Sequence, residues 1–250
     1  MPSEVVARFT DVSMVFPDGT TALDGVSLDV CRGELVALVG PSGCGKSTML
    51  RLLAGFEQPT TGTVATDGGA LGYVFQDPTL LPWRSVLDNV QLPAQLARRP
   101  KAASAEAART AIRRVGLGGF EDHKPAQLSG GMRMRVSIAR ALTSKPRLFL
   151  FDEPFGALDE ITRERLNEEV AALFVLDPFA GLFVTHSVPE SVYLATRVVV
   201  LSGRPGRIAA DIEVPFAYPR VPELRYTPAF ANVAGEVSAA LRGACEAVPA

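Results

Sequence analysis

The stretch Leu35-Val36-Ala37-Leu38-Val39-Gly40-Pro41-Ser42-Gly43-Cys44-Gly45-Lys46-Ser47-Thr48 decides the fold. Its short continuous apolar run, 35–39, reads as a strand buried on both faces. Residues 47–54 read as a helix closed by Gly55. Between them, residues 40–48 match GxxxxGK[ST] in the context that pattern requires, after a strand and opening a helix. The glycines let backbone N–H groups converge on phosphate oxygens, and the helix N-terminus adds a favourable field for that charge. The reading is a nucleoside triphosphate cradle made by Gly40, Pro41, Ser42, Gly43, Cys44, Gly45, Lys46, Ser47 and Thr48. Lys46 is placed to reach the β- and γ-phosphates, and the Ser47 hydroxyl to ligate Mg²⁺. Cys44 fills a free position of the pattern, either as a small filler or as a thiol activated by the helix terminus.

Working outward, buried-strand runs recur at 148–151, 182–184 and 198–201, with helix-like segments 161–176 and 190–195 between them. Strands alternating with helices predict an α/β fold with a mainly parallel sheet. The first thirty residues alternate apolar and polar positions around the turn Pro17-Asp18-Gly19-Thr20, the pattern of an N-terminal antiparallel β subdomain. From residue 87 to about 140 the texture becomes Ala-, Arg- and Leu-rich, notably over 102–115, and predicts an inserted helical subdomain. A short tail, 215–250, starts proline-rich and irregular, with a terminal helix expected over 229–242. At 250 residues the chain is read as one domain, 1–250, carrying these subdomains.

Lys and Arg number 25 against 27 Asp and Glu, for a net charge of -2. That balance offers no global basic surface and argues against nucleic acid as a partner. The hydrophobic fraction is 47%, yet no apolar run reaches the roughly 18 residues a membrane span needs. Met1-Pro2-Ser3-Glu4 lacks the start of a secretory signal, so the expected location is cytosolic. Cys31, Cys44 and Cys245 share no CxxC spacing, which predicts free thiols and neither a disulfide framework nor a zinc site.

Leu148-Phe149-Leu150-Phe151-Asp152-Glu153-Pro154 puts two carboxylates at the end of a buried strand, where open α/β sheets bind ligands. Asp152 is placed to hold Mg²⁺ through water, and Glu153 to polarise an attacking water as general base. A solvated acidic turn is the plain alternative; the upstream phosphate loop favours chemistry.

Upstream of that strand, Leu128-Ser129-Gly130-Gly131-Met132 resembles the LSGGQ motif of ATP-binding-cassette (ABC) ATPases. Gln76 in Tyr73-Val74-Phe75-Gln76-Asp77 is similar to that family's Q-loop, Gly156-Ala157-Leu158-Asp159 to its D-loop, and His186 to its switch histidine. The resemblance runs from about residue 16 to 201 in the family's order. It implies a homodimer with two ATP molecules sandwiched head to tail, Ser129, Gly130, Gly131 and Asp159 acting in trans. It also implies that Gln76 contacts Mg²⁺ and the attacking water, that His186 hydrogen-bonds the γ-phosphate and that Phe16 stacks on adenine. Met132 departs from the usual glutamine and Ser187 from the usual aspartate after the histidine; the second change bears on how His186 is oriented.

Residues 80–90, Leu-Leu-Pro-Trp-Arg-Ser-Val-Leu-Asp-Asn-Val, resemble the Q-loop exit of bacterial importers for nitrate, sulfonates, taurine and thiamine-precursor pyrimidines. Arg204-Pro205-Gly206-Arg207-Ile208 and the tail residues 228–231 are similar to the same branch. This implies a peripheral motor on the cytoplasmic face of the membrane, bound to separate permease subunits and served indirectly by a solute-binding protein. Trp83 has two readings, packing within the helical subdomain or a place in the groove that receives the permease. The short tail predicts no appended regulatory domain. An exporter motor shares all the ATP chemistry. Soluble DNA- or ribosome-remodelling relatives carry coiled coils, zinc insertions or tandem cassettes that are not found here. A P-loop kinase or GTPase would need another motif in place of residues 128–132.

Overall fold

Every side chain of the run 35–39 is buried, and the alternation explains why the whole run is apolar. Leu35, Ala37 and Val39 point into one core, Val36 and Leu38 into a second on the other face of the sheet. In the computed structural model, which describes residues 4–246, nine strands and eight α-helices follow in order. They are β1 (Val5–Val15), β2 (Thr21–Cys31), β3 (Leu35–Val39), α1 (Lys46–Leu53), β4 (Thr61–Thr66), β5 (Leu71–Val74), α2 (Val86–Val90), α3 (Leu92–Leu96) and α4 (Lys101–Arg114). Then come α5 (Gly130–Leu142), β6 (Leu148–Asp152), α6 (Glu160–Leu176), β7 (Ala180–Val184), α7 (Val188–Leu194), β8 (Arg197–Leu201), β9 (Ile208–Glu213) and α8 (Pro228–Glu246). The N-terminal reading at residues 1–3 and the end of the tail, 247–250, lie outside the described residues.

The main sheet has the order β5-β6-β7-β3-β8-β9, parallel except for β9, which runs antiparallel to β8. A second sheet, β2-β1-β4, is antiparallel. Its hairpin turns where expected: the Asp18 carboxylate accepts from the Thr20 N–H, and Gly19 takes φ 85. One core packs the main sheet against α2, α4, α5, α6, α7 and α8; the other packs it against α1 and the antiparallel sheet. α2 to α5, with a 3₁₀ turn at Pro125–Gln127, fill the helical stretch and carry it to residue 142.

The anticipated strands and helices all form, with ends shifted by a few residues. Three strands had no sequence signal strong enough to find them. β4 exposes five of its six residues, β5 has four residues, and β9 is an antiparallel edge of an otherwise parallel sheet. The terminal helix is longer than expected, Pro228–Glu246, and the segment before it holds a 3₁₀ turn at Pro222–Tyr226.

Beneath the site, Phe183 packs between Phe151 and Phe155 with ring centroids 5.5 and 5.9 Å away. Phe183→Ala is expected to lower the unfolding free energy by about 3–5 kcal/mol in a denaturant titration. Leu96→Ala, at a position 76% exposed, should stay within about 0.5 kcal/mol of the parent.

Candidate nucleotide site

The loops leaving the C-terminal ends of β3, β6 and β7 converge, as ligand sites do in open parallel sheets. After β3 the chain needs glycine twice: Gly43 has φ 75 and Gly45 φ 99. A Cβ on Gly45 would lie 2.6 Å from Leu23 Cδ2 and 2.8 Å from the Ala22 carbonyl. α2, α5, α6 and α7 each have a side-chain cap, from Ser85, Ser129, Asp159 and Ser187; α1, which begins at Gly45, has none, like α3 and α4, but it alone of these opens from the phosphate loop. Its first-turn N–H groups are therefore left for an anion.

Lys46 is only 7% exposed, and its ammonium donates to the Gly40 and Pro41 carbonyls, each at 2.9 Å. Among the described residues it makes no ion pair, so its charge is held by dipoles alone, an arrangement that favours an incoming phosphate. Cys44 Sγ lies beneath the loop, 3.8 Å from that ammonium. Burial pushes its thiol pKa up, with Lys46 opposing more weakly. The filler reading holds and the activated thiol does not.

The Ser47 hydroxyl donates to Asp152 Oδ1 at 2.7 Å, and the Tyr73 hydroxyl to Asp152 Oδ2 at 3.1 Å. Burial, then the neighbouring carboxylate, pushes the Tyr73 phenol far up, so it serves as a fixed donor. Ser47 and Asp152 supply two hard oxygens side by side. That set fits Mg²⁺, which takes few protein ligands and completes its shell with phosphate and water. The described residues contain no cluster of three or more His, Cys, Asp or Glu side chains that would suit a protein-caged metal.

One residue on, Glu153 has φ 46, a left-handed conformation that costs a non-glycine residue about 1–3 kcal/mol. Two backbone hydrogen bonds impose it: the Glu153 N–H donates to Val184 O, and its carbonyl accepts from the Gly156 N–H, both at 3.1 Å. The carboxylate consequently turns toward His186, with Nδ1 3.6 Å from Oε2. Gly156 lies against three of the expected groups: a Cβ there would be 3.5 Å from Glu153 O, 3.5 Å from His186 Cε1 and 3.7 Å from Gln76 Nε2. Gln76, Glu153 and His186 are thus brought together beside Asp152.

A cavity of about 340 Å³ joins Phe16, Ser42, Gly43, Gly45, Lys46, Ser47, Thr48 and Glu153. Gly40, Pro41 and Cys44 shape the loop without lining the cavity. Neither do Ser129, Gly130, Gly131 and Asp159, which stand at the N-termini of α5 and α6. Ser129 Oγ accepts from the Met132 N–H at 3.2 Å, and Met132 packs its side chain on the core. Gly131 has a packing duty, since a Cβ would lie 2.6 Å from Thr162 Cγ2. Hydrogen bonds from Thr162 hold the Asp159 carboxyl below the usual range.

Sequence reasoning missed Tyr73, Thr20, Arg51 and Arg204 as neighbours of the site. Thr185 and Glu190 behind His186 were also missed. The Thr185 hydroxyl bonds the buried Glu190 carboxyl and accepts from the Ser187 N–H, and Ser187 caps α7 through the Glu190 N–H. Serine therefore carries out the capping that aspartate would supply. Trp83 is 70% exposed, which excludes packing within the helices. Asn89 presents it, bonding Leu81 N–H and the carbonyls of Leu81, Arg84 and Ser85.

The ABC transporter family model matches residues 23–156. An uncharacterized ABC transporter ATP-binding protein of Methanocaldococcus jannaschii is 48% identical over 80% of this chain and 77% of its own. A taurine import ATP-binding protein of Burkholderia pseudomallei is 45% identical over 79% and 78%. Among solved structures, cbiO1 from Clostridium perfringens, part of an ABC transporter complex, superposes with a TM-score of 0.78 at 25% identity over 84% of this chain and 89% of that one. A dimeric ATP-binding cassette in a post-hydrolysis state, bound to ADP and Pi, gives 0.74 at 30% over 84% and 100%. A family model spanning more than half the chain, relatives nearly half identical over four-fifths of it, and a phosphate loop facing Asp152 and Glu153 place the chain in the ABC transporter family, as an ATP-binding ATPase subunit.

Proposed function

We propose that this ATPase is the motor of an importer. Two copies meet head to tail, so that the γ-phosphate bound by Lys46 of one faces the α5 N-terminus of the other. The observation that carries this reading is the split of the site. Lys46, Ser47 and Glu153 line one cavity and Asp152 is hydrogen-bonded to Ser47 at its edge, whereas the N-terminal end of α5 at Ser129 and Gly130, with Asp159, neither lines that cavity nor bonds to these residues. A helix N-terminus with an exposed serine cap suits a phosphate arriving from a second subunit. The dimeric cassettes among the solved relatives support the same assembly.

Within each site Phe16 stacks on adenine, and Lys46 with the free N–H groups of α1 holds the β- and γ-phosphates. Ser47, Asp152 and Gln76 would hold Mg²⁺, which would supply charge neutralisation at the phosphates. Glu153 takes a proton from the attacking water, and His186, 3.6 Å away, steadies the γ-phosphate and the general base. Two side chains anchor the segment leaving Gln76. Arg140 donates to the Pro78 and Thr79 carbonyls, and Asn89 clamps Leu81 before the exposed Trp83. That segment can pass a shift at Gln76 to a permease seated on Trp83.

The taurine import relatives and the residues 80–90 and 204–208 favour import of a small sulfonate-, nitrate- or pyrimidine-like solute. A solute-binding protein would deliver it outside, with the motor on the cytoplasmic face. No helix among the described residues is long and apolar enough to cross a membrane, so the pore would come from permease subunits.

Glu153→Gln should retain ATP binding, lower kcat by about a hundredfold or more, and accumulate an ATP-bound dimer on size exclusion; unchanged turnover would remove Glu153 as general base. Ser129→Arg and Lys46→Ala, each inactive alone, should regain ATPase activity when mixed, from about one intact composite site per heterodimer. No recovery in the mixture would sink the trans arrangement.

A further inference from the structure

The segment 202–207, between β8 and β9, is stitched down on two sides. The Gly206 N–H donates to Ala22 O at 2.9 Å, the Asp24 N–H donates to Gly206 O at 3.1 Å, and Arg207 pairs with Asp24. Ser202 closes the loop by accepting from the Arg207 N–H at 3.0 Å and donating to Pro205 O at 3.1 Å. On its other side the loop lies against the phosphate loop, so closely that a Cβ on Gly206 would collide with the Cys44 carbonyl. The backbone that carries a side chain from this segment is thereby fixed beside residues 40–48.

That side chain is Arg204. Its Nε donates to the Gly43 carbonyl at 3.1 Å, and a Cβ on Gly43 would lie 2.8 Å from Nη2, so the guanidinium lies across the phosphate loop. It lines the same cavity as Phe16, Lys46 and Ser47. It forms no ion pair among the described residues, and its terminal nitrogens have no hydrogen-bond partner there. The nearby Asp18 carboxylate is bonded to Thr20. Lys46, Arg51 and Arg204 outnumber the cavity's one carboxylate, Glu153. A planar cation with unused donors, exposed and carried beside a phosphate cradle by a stitched loop, has the chemistry to fork onto phosphate oxygens.

We propose that Arg204 is a nucleotide-contacting residue, supplying from the β8–β9 loop a charge-assisted contact to the polyphosphate of ATP. This rests on the ATP-site reading above. The contact is to phosphate and so is indifferent to the base.

The test is equilibrium binding of ATP, GTP and a non-hydrolysable ATP analogue to the full chain and to Arg204→Ala, Arg204→Lys and Lys46→Ala, across a salt series. Loss of one charge-assisted contact should weaken Arg204→Ala binding about tenfold or more, by the same factor for both bases, with a shallower salt dependence. Arg204→Lys should lie between the two. Affinity unchanged within twofold in Arg204→Ala, with intact circular dichroism, overturns the proposal. So does weakening with an unaltered salt dependence that Arg204→Lys shares in full, since that outcome leaves Arg204 only a brace for Gly43. Lys46→Ala binding as tightly as the parent would instead fail the site reading itself.

Discussion

A lysine ammonium buried without a carboxylate is the constraint around which the site is arranged. Lys46 is held by two carbonyls of its own loop, Gly40 and Pro41, at 2.9 Å. Dipoles offset only part of the cost of removing a cation from water. Holding it there requires a loop whose carbonyls fold inward, and that requires left-handed turns at Gly43 and Gly45. The turns in turn need a rigid platform. β3 provides it, buried alternately in two cores, with α1 packed behind. The same inward folding leaves the first-turn N–H groups of α1 uncapped. One geometry thus produces both a positive charge and a set of donors that await the same anion.

The acidic side is built with comparable rigidity. Asp152 receives one hydrogen bond from each side, from Ser47 on the loop and from Tyr73 on the edge strand, so both carboxylate oxygens are oriented. Glu153 is then twisted out of strand geometry by bonds to Val184 and Gly156. Adjacent residues in a regular strand would point to opposite faces. The φ of 46 at Glu153 is what allows two consecutive carboxylates to serve one site.

Much of this was legible in the sequence because it depends on local pattern. Continuous apolar runs marked β3, β6, β7 and β8, since each is covered on both faces, and glycine spacing marked the phosphate loop. β4 was not legible: in Thr61–Thr66 only Val64 is half-buried, and a solvated edge leaves no alternation to read. Nor was Tyr73 as a partner of Asp152, because that bond joins residues 79 positions apart. Arg204 stood in a segment noted only for its likeness to a branch; its approach to Gly43 depends on a β9 that returns antiparallel and carries the loop back over the phosphate loop. Likewise Trp83 gave two readings in sequence, and only its exposure separates them.

The divided site also constrains how binding energy can be used. If the γ-phosphate is held by one subunit's Lys46 and the other's α5 terminus, much of its binding energy appears only on association. A contact realised only in the closed state shifts the equilibrium between open and closed, whereas one present in both does not. Lys46, Phe16 and Arg204 line one cavity of the single chain, so on the proposed reading they would set how tightly ATP binds before closure. Ser129 and Asp159, which cap α5 and α6 and do not line that cavity, would on the proposed assembly respond only to closure. The segment from Gln76 through the Arg140 and Asn89 anchors to Trp83 begins beside Gly156 and His186 and ends on an exposed surface. Energy released by closure would therefore reach that surface through a chain pinned at both ends, which transmits displacement better than a free loop could.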